Sequence, residues 1–236
     1  LVAAAELDPD AAIEAARAAA RAATLLGAHA DAAEWLARAL AIDLTGNPAR
    51  TIAISIEHAD ALRLSGDPAH LEALTSATRQ ALQLGDDTLV AAAGFALLQL
   101  GGSSPAGDLD EELGDLARQV IDSISDPQLR APVQAAASLA WSMTGHADTS
   151  RALFDEAEAA AVDIVARLRV LPFAYLAAGR PVDLPRRAAL AEELVALAEA
   201  AHEPVPAWEG AHLQFSVCLQ RGDGAGMREA LRRMES

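Results

Sequence analysis

Glycines that follow leucine-rich stretches recur along this chain at a spacing that restricts the fold more than any other feature. Successive glycines of the series are 39, 35, 44, 34 and 43 residues apart. The series consists of Gly27, Gly66, Gly101, Gly145, Gly179 and Gly222. A period of this length holds two helices with their turns, and one such hairpin cannot bury its apolar face without a neighbour. The spacing therefore predicts an all-α fold, an α-α superhelix or solenoid of about six antiparallel helix hairpins.

Local signals predict where the helices begin and end. Aspartate or asparagine stands directly before proline at residues 8, 47, 67 and 126. The polar side chain caps free backbone N–H groups, and proline fits the first helical position because the N–H there has no intrahelical acceptor. Between these starts and the glycines, apolar residues recur at i, i+3, i+4 and i+7, as in amphipathic helices. The predicted helices are 9–26, 30–44, 48–65, 68–84, 86–100, 109–124, 127–144, 147–162, 163–178, 184–202, 206–221 and 224–235, forming a single domain over 1–236.

The composition agrees with helices and excludes several functions. Hydrophobic residues make up 52% of the chain but aromatic residues only 3%, and alanine, the best helix former, is the commonest of the apolar residues. All 18 basic residues are arginine, so the chain has no lysine for a Walker A phosphate loop or for Schiff-base catalysis. The net charge of −16 disfavours direct nucleic-acid binding, which needs a cationic surface.

The negative charge is unevenly distributed. Residues 1–165 contain 9 arginines and 25 acidic residues, whereas residues 166–236 contain 9 of each. A solvated acidic surface explains this asymmetry, and a site for a cationic partner is the alternative.

Cysteine and hydropathy predict the compartment. Cys218 is the single cysteine, so no disulfide forms within the chain, which fits the cytoplasm. The longest apolar stretch, Leu89–Leu100, is too short to cross a membrane, and no signal peptide is visible. The chain begins at Leu1 without methionine and ends within a helical pattern at Ser236, so we expect a piece of a longer protein.

The first predicted hairpin resembles the tetratricopeptide repeat. Counted from Gly27, the repeat has a small residue, a large apolar residue, and a small and an apolar residue at fixed positions. This chain places Ala32, Leu36, Ala39 and Leu40 there. Other hairpins match partly or poorly, so the resemblance is close in one unit and loose elsewhere. It implies that the first helix of each hairpin lines a concave binding face.

A second resemblance concerns the alanine- and arginine-rich texture of the chain. The turns GNPAR and GDPA and the closing segment 207–231 resemble the helical-repeat region of large actinobacterial ATP-binding transcriptional regulators of the LuxR type. Those proteins carry an N-terminal NTPase, a helical-repeat sensor and a C-terminal helix-turn-helix. The resemblance implies a role in signal reception and interdomain coupling, although neither the NTPase motif nor a DNA-reading helix lies within this chain.

Polar residues on the first helices that packing does not explain are the candidates for binding. Arg17 and Arg21, one helical turn apart, could clamp a carboxylate, or they could belong to a solvated helix face. Trp208 follows two prolines at a helix start, where it either packs between helices or touches a ligand. The full set is Arg17, Arg21, Asp60, Arg63, Trp208, Glu209 and His212, with Glu14 beside the first pair.

The sequence predicts no catalytic residue, no metal site and no cofactor. Cys218 and His212 are six residues apart and do not share a helix face, and no other nucleophile has a base nearby. Acidic pairs such as Asp86 and Asp87 are typical of helix starts, where the dipole favours negative charge.

Three functions remain open at this point. The first is a sensor or scaffold domain of a cytoplasmic transcriptional regulator, which binds a protein or peptide segment or a small effector. The second is a stand-alone adaptor for protein–protein interaction, and the third an all-α enzyme. A homodimer is compatible with each, whereas contact with nucleic acid or a membrane is not expected.

Overall fold

The computed structural model describes residues 8–43, 46–99, 111–143 and 147–235, and this part of the chain is all-helical and contains no strand. A short 3₁₀ turn, Pro181–Asp183, precedes the tenth of its helices. The helices are α1 (Pro9–Leu25), α2 (His29–Ile42), α3 (Pro48–Ser65), α4 (His70–Leu84), α5 (Asp87–Leu98), α6 (Glu111–Ser123), α7 (Pro127–Met143), α8 (Ala147–Ala160), α9 (Ile164–Ala177), α10 (Leu184–Ala201), α11 (Pro204–Arg221) and α12 (Gly224–Glu235).

Each of these helices begins and ends within two residues of its predicted limits. The cap signals have the expected geometry, since the Asp8 side chain accepts from the Ala11 N–H at 3.0 Å and Asn47 from the Arg50 N–H at 3.2 Å. Gly66, after α3, has φ +78°, which a residue with a Cβ rarely adopts. Gly101 and Gly145 of the repeat series lie outside the described residues.

The start of α11 corrects the predicted limit of 206. The helix begins at Pro204 and includes Pro206 in its first turn. The first backbone N–H groups of a helix have no intrahelical acceptor, so two prolines cost no hydrogen bond there.

The chain divides into two compact units, residues 1–125 and 126–236. In each unit, neighbouring helices pack in series, and alternate helices also touch, such as α3 with α5 and α9 with α11. This is the pattern of stacked hairpins, with first helices in one layer and second helices in another. The predicted single domain over 1–236 stays a prediction.

Alanines allow the helices to approach closely. In the first unit, Ala32 and Ala39 have no exposed surface, and Leu36 between them is 3% exposed. They pack with Ile13 and Ile54 from α1 and α3. The positions that resemble the tetratricopeptide pattern therefore include core positions, where small residues set the helix spacing and leucine fills the gap.

One side chain fixes the start of α9 in the second unit. The Gln128 amide donates to the Ala160 carbonyl at 2.6 Å and accepts from the N–H groups of Val162 and Asp163 at 3.1 and 3.0 Å. Asp163 then caps α9 by accepting from the Ala166 N–H at 2.7 Å. The orientation of α9 is thereby tied to α7.

Among the described helices, none is both long enough and apolar enough to cross a bilayer.

Candidate functional site

The predicted residue Arg17 lies in an ionic cluster between α1 and α3. Its guanidinium donates to both carboxylate oxygens of Glu57, at 2.5 and 3.2 Å, and to Glu14 at 3.1 Å. The hydrogen bonds that Arg17 donates to Glu57 raise the pKa of Arg17 above its ordinary value. A ligand carboxylate that used Arg17 would have to displace Glu57.

The other predicted residues of the first unit differ in their partners. Arg63 and Asp60 form an ion pair at 2.7 Å on α3, with the Arg63 side chain 12% exposed. Arg21 is exposed, one turn after Arg17, and none of the described residues forms an ion pair or hydrogen bond with it. Binding by these three residues stays a prediction, and Arg21 is the cation most available to a ligand.

A further polar cluster was missed by the sequence reasoning. Asp43 follows α2, and its fully buried carboxylate accepts from Arg50 and from the Thr51 hydroxyl, both at 2.8 Å. Arg50 also reaches Asp10 on α1 at 2.7 Å. These contacts hold three helices together. The only sequence signal for them was the charge of Arg50, three residues after the Asn47 cap.

Together, Glu14, Arg17, Arg50, Glu57, Asp60 and Arg63 are called the ionic face of the first unit.

In the second unit, the first turns of α11 bring three predicted residues together. The rings of Trp208 and His212 stack, with centroids 5.6 Å apart and planes inclined by 22°. They are four residues apart, which places them on the same side of a helix. Trp208 nevertheless remains 51% exposed, and His212 is also exposed.

Glu209 lies beside this aromatic pair without a partner. Its side chain is partly buried, and no described residue forms a hydrogen bond or ion pair with its carboxylate. Burial raises the pKa of Glu209, and the nearby charge of His212 opposes that rise. The site therefore contains a carboxylate that has lost hydration, and the charge of His212 offsets this loss only in part.

Exposed apolar side chains continue this surface on both α11 and α9. Val205 and Leu219 on α11 are 73% and 59% exposed, and Val165 and Leu176 on α9 are 59% and 54% exposed. The helices α9 and α11 are in contact. The Tyr175 hydroxyl of α9 also donates to the carbonyl of residue 213 in α11 at 3.4 Å.

The exposed stripes of α9 and α11 lie on the side away from α10. On α9, Arg167 points toward α10, where it donates to Glu193 at 2.6 and 2.9 Å. On α11, Gly210 packs directly on Val195 of α10. The helical positions of Val165 and Trp208 are on the opposite sides of these helices. The residues Val165, Leu176, Val205, Trp208, Glu209, His212 and Leu219 are called the α9–α11 face.

Sequence reasoning found the α11 part of this face and missed the α9 part. Apart from Arg167 and Arg169, the helix α9 is apolar on all sides, with Leu168 and Leu171 buried but Val165 and Leu176 exposed. Only the spacing of Val165 and Leu176, eleven residues or about three turns apart, places them on one side.

Three open grooves lie elsewhere in the units. Two in the first unit, of about 610 and 700 Å³, are lined by α3, α4 and α6, and one of about 450 Å³ lies among α10, α11 and α12. None of these three contains Trp208, Glu209 or His212. The α9–α11 face is therefore a surface along two helices, a shape that suits an extended or helical peptide better than a small molecule.

The described residues contain no group of three or more His, Cys, Asp and Glu side chains arranged to hold a metal ion.

Searches against models of protein families and against curated proteins found no match to this chain.

Proposed function

We propose that this chain is a binding domain of the helical-repeat type, a sensor or scaffold in a cytoplasmic transcriptional regulator, and that its α9–α11 face receives a protein or peptide segment. The observation that carries the proposal is the exposure of large apolar side chains on two adjacent first helices. Trp208, Val205 and Leu176 are each more than half exposed.

The energetic argument concerns water. Burying apolar surface contributes about 25 cal/mol per Å², and contiguous apolar patches on proteins are typical of interaction surfaces. Tryptophan often supplies much of the binding energy at such surfaces. An apolar segment of a partner that covered Trp208 and Leu176 would remove both from water.

The regulator part of the proposal is supported by the resemblance of the turns and of segment 207–231 to the repeat region of LuxR-type regulators. The coding sequence on either side of this chain tests it. A phosphate-binding loop upstream and a helix-turn-helix downstream would support a regulator, whereas their absence from the parent protein would overturn it and favour an adaptor.

The binding part is tested by selecting random phage-displayed peptides on the immobilised chain. We expect selected peptides to bind the wild type and to lose affinity by about tenfold or more for Leu176→Glu/Val205→Glu, because each carboxylate would be desolvated in the complex. Leu231→Glu on α12 is the matched control, since Leu231 is 45% exposed and outside the α9–α11 face.

Peptides that bind the double variant and the wild type equally would show that another surface does the binding. Failure to select any peptide would count against a peptide-binding function altogether.

A further inference from the structure

Arginines of this chain lie over several of its own aromatic rings. Such pairs are stabilised because a guanidinium is attracted to the negative face of the ring. The pairs, with distances from the guanidinium carbon to the ring centroid, are Arg38 over Trp35 at 4.6 Å, Arg186 over Phe154 at 5.9 Å and Arg187 over Tyr175 at 5.7 Å.

Trp208 differs from these rings. Among the described residues, no arginine lies over its indole, and half of its surface is open to solvent. Its contact is the imidazole of His212, which stacks on it. Tryptophan is the side chain that attracts cations most strongly, so its open surface is available to a cation from outside the chain.

Glu209 differs in the same way from Glu193 and Glu158, two partly buried glutamates of its unit. Glu193 accepts from Arg167 at 2.6 Å, and Glu158 accepts from Arg186 at 2.8 Å. Glu209 is partly buried and receives no such contact from any described residue. A partly dehydrated carboxylate gains most from a cation that enters its site, because there is little hydration left to displace.

We propose that Trp208 and Glu209 receive the arginine or lysine side chain of an otherwise apolar peptide segment docked on the α9–α11 face. This inference rests on the proposed function and specifies its ligand. The indole supplies a ring face and the adjacent carboxylate supplies the opposite charge.

The surroundings of the pair define the rest of the ligand. Val205 lies one turn before Trp208 and Leu176 lies across on α9, so apolar residues flank the cation site. Arg169 on α9 lies one turn after Val165 and two turns before Leu176, so it shares their side of the helix and would repel a cation near α9. The ligand cation is therefore placed on α11, at Trp208 and Glu209. The raised pKa of Glu209 agrees with a carboxylate whose burial outweighs the opposing charge of His212.

The test compares peptide selections from the same phage library on three proteins: the wild type, Glu209→Gln and Glu203→Gln. Glutamine has the shape of glutamate, and Glu209 has no described hydrogen bond to lose. Glu203 is exposed at the start of the same helix and its side chain makes no capping hydrogen bond, so its variant controls for the loss of one negative charge.

We expect peptides selected on the wild type and on Glu203→Gln to be enriched in arginine or lysine between apolar residues. The enrichment should disappear on Glu209→Gln. For one selected arginine peptide, Glu209→Gln and Trp208→Leu should each weaken binding about tenfold. Its citrulline counterpart, which has the same shape without the charge, should bind the wild type and both variants with similar affinity.

Peptides without basic enrichment, or equal affinity of the arginine peptide for wild type and Glu209→Gln, would overturn the cation site while leaving peptide binding intact. Loss of affinity in Glu203→Gln as large as in Glu209→Gln would also overturn it, because the effect would then be general charge. Failure to select any peptide would instead overturn the proposed function and the inference with it. Thermal unfolding of each variant verifies that the fold is retained.

Discussion

The ionic face of the first unit and the α9–α11 face of the second are both built on first helices of hairpins, yet they treat charge differently. In the ionic face, Arg17 lies 2.5 Å from Glu57, and Arg63 lies 2.7 Å from Asp60. In the α9–α11 face, Glu209 has no partner among the described residues and Trp208 is 51% exposed. The ionic face therefore has more ionised groups than the α9–α11 face, but fewer of them are available to a ligand.

The difference teaches that polarity at a repeat position does not identify a binding residue. A paired surface charge contributes little on its own and must be separated from its partner before it can bind a ligand. An unpaired, partly buried group gains from the first suitable partner. The two surfaces differ in whether their charged groups have partners, and residue type alone does not show this difference.

The largest effect on stability is expected from a substitution that forces α11 away from α10. A Cβ at Gly210 would lie 2.8 Å from Val195 Cγ2 and 3.0 Å from the Val195 backbone nitrogen. Gly210→Val should therefore destabilise the protein by about 2–3 kcal/mol through overpacking, with about 2–4 °C lost per kcal/mol in thermal unfolding. Gly224→Val on α12 is the control, because its nearest neighbour is the mobile end of Arg228 at 3.7 Å. An unchanged midpoint for Gly210→Val would show that the α10–α11 contact is looser than described.

The next effect sharpens the account of Glu209. Its pKa is raised in the folded state from the ordinary value of 4.5, so the folded protein holds the proton more tightly than the unfolded chain. Stability therefore falls as pH rises from about 4.5 through the raised value, and the loss persists at neutral pH. Glu209→Gln should unfold at a higher temperature than the wild type at pH 7, with the difference vanishing below the unfolded pKa. A lower midpoint at pH 7 would reveal a stabilising partner for this carboxylate.

The smallest effect concerns the ionic face. Glu57→Gln should cost about 0.5 kcal/mol of stability, since the pair with Arg17 is partly exposed and screened by salt. If Arg17 can clamp a carboxylate, this variant should also bind an acidic peptide more tightly than the wild type. Arg21→Ala serves as the control for stability, because Arg21 has no described partner and its loss should cost less than the loss of the Arg17–Glu57 pair. Equal binding of the acidic peptide by wild type and Glu57→Gln would count against the clamp.

The helices could be predicted because their limits depend on neighbours in sequence. Asp8 and Asn47 cap their helices through residues three positions away, and Gly66 ends α3 by its own backbone conformation. The limit at 206 failed because two prolines in one first turn offer two starts, and the sequence does not choose between them.

The candidate site was only partly predictable, because exposure depends on which sides of a helix are covered. Trp208, Glu209 and His212 were found from polarity and position. Val165 and Leu176 look like Leu168 and Leu171 in the sequence, although the second pair is buried. Whether Glu209 has a hydrogen-bonding or ion-pairing partner depends on the packing of the whole unit, so no local sequence pattern indicates it.

The exposure of Trp208 has an optical consequence. Of the three tryptophans, all within the described residues, Trp141 is 4% exposed and Trp35 is covered by Arg38, whereas Trp208 is 51% exposed. Water-soluble quenchers should therefore extinguish mainly the red-shifted part of the emission, which comes from α11. The unlabelled chain carries its own fluorophore at the α9–α11 face, so binding of a ligand to that face can be followed from the wavelength of tryptophan emission.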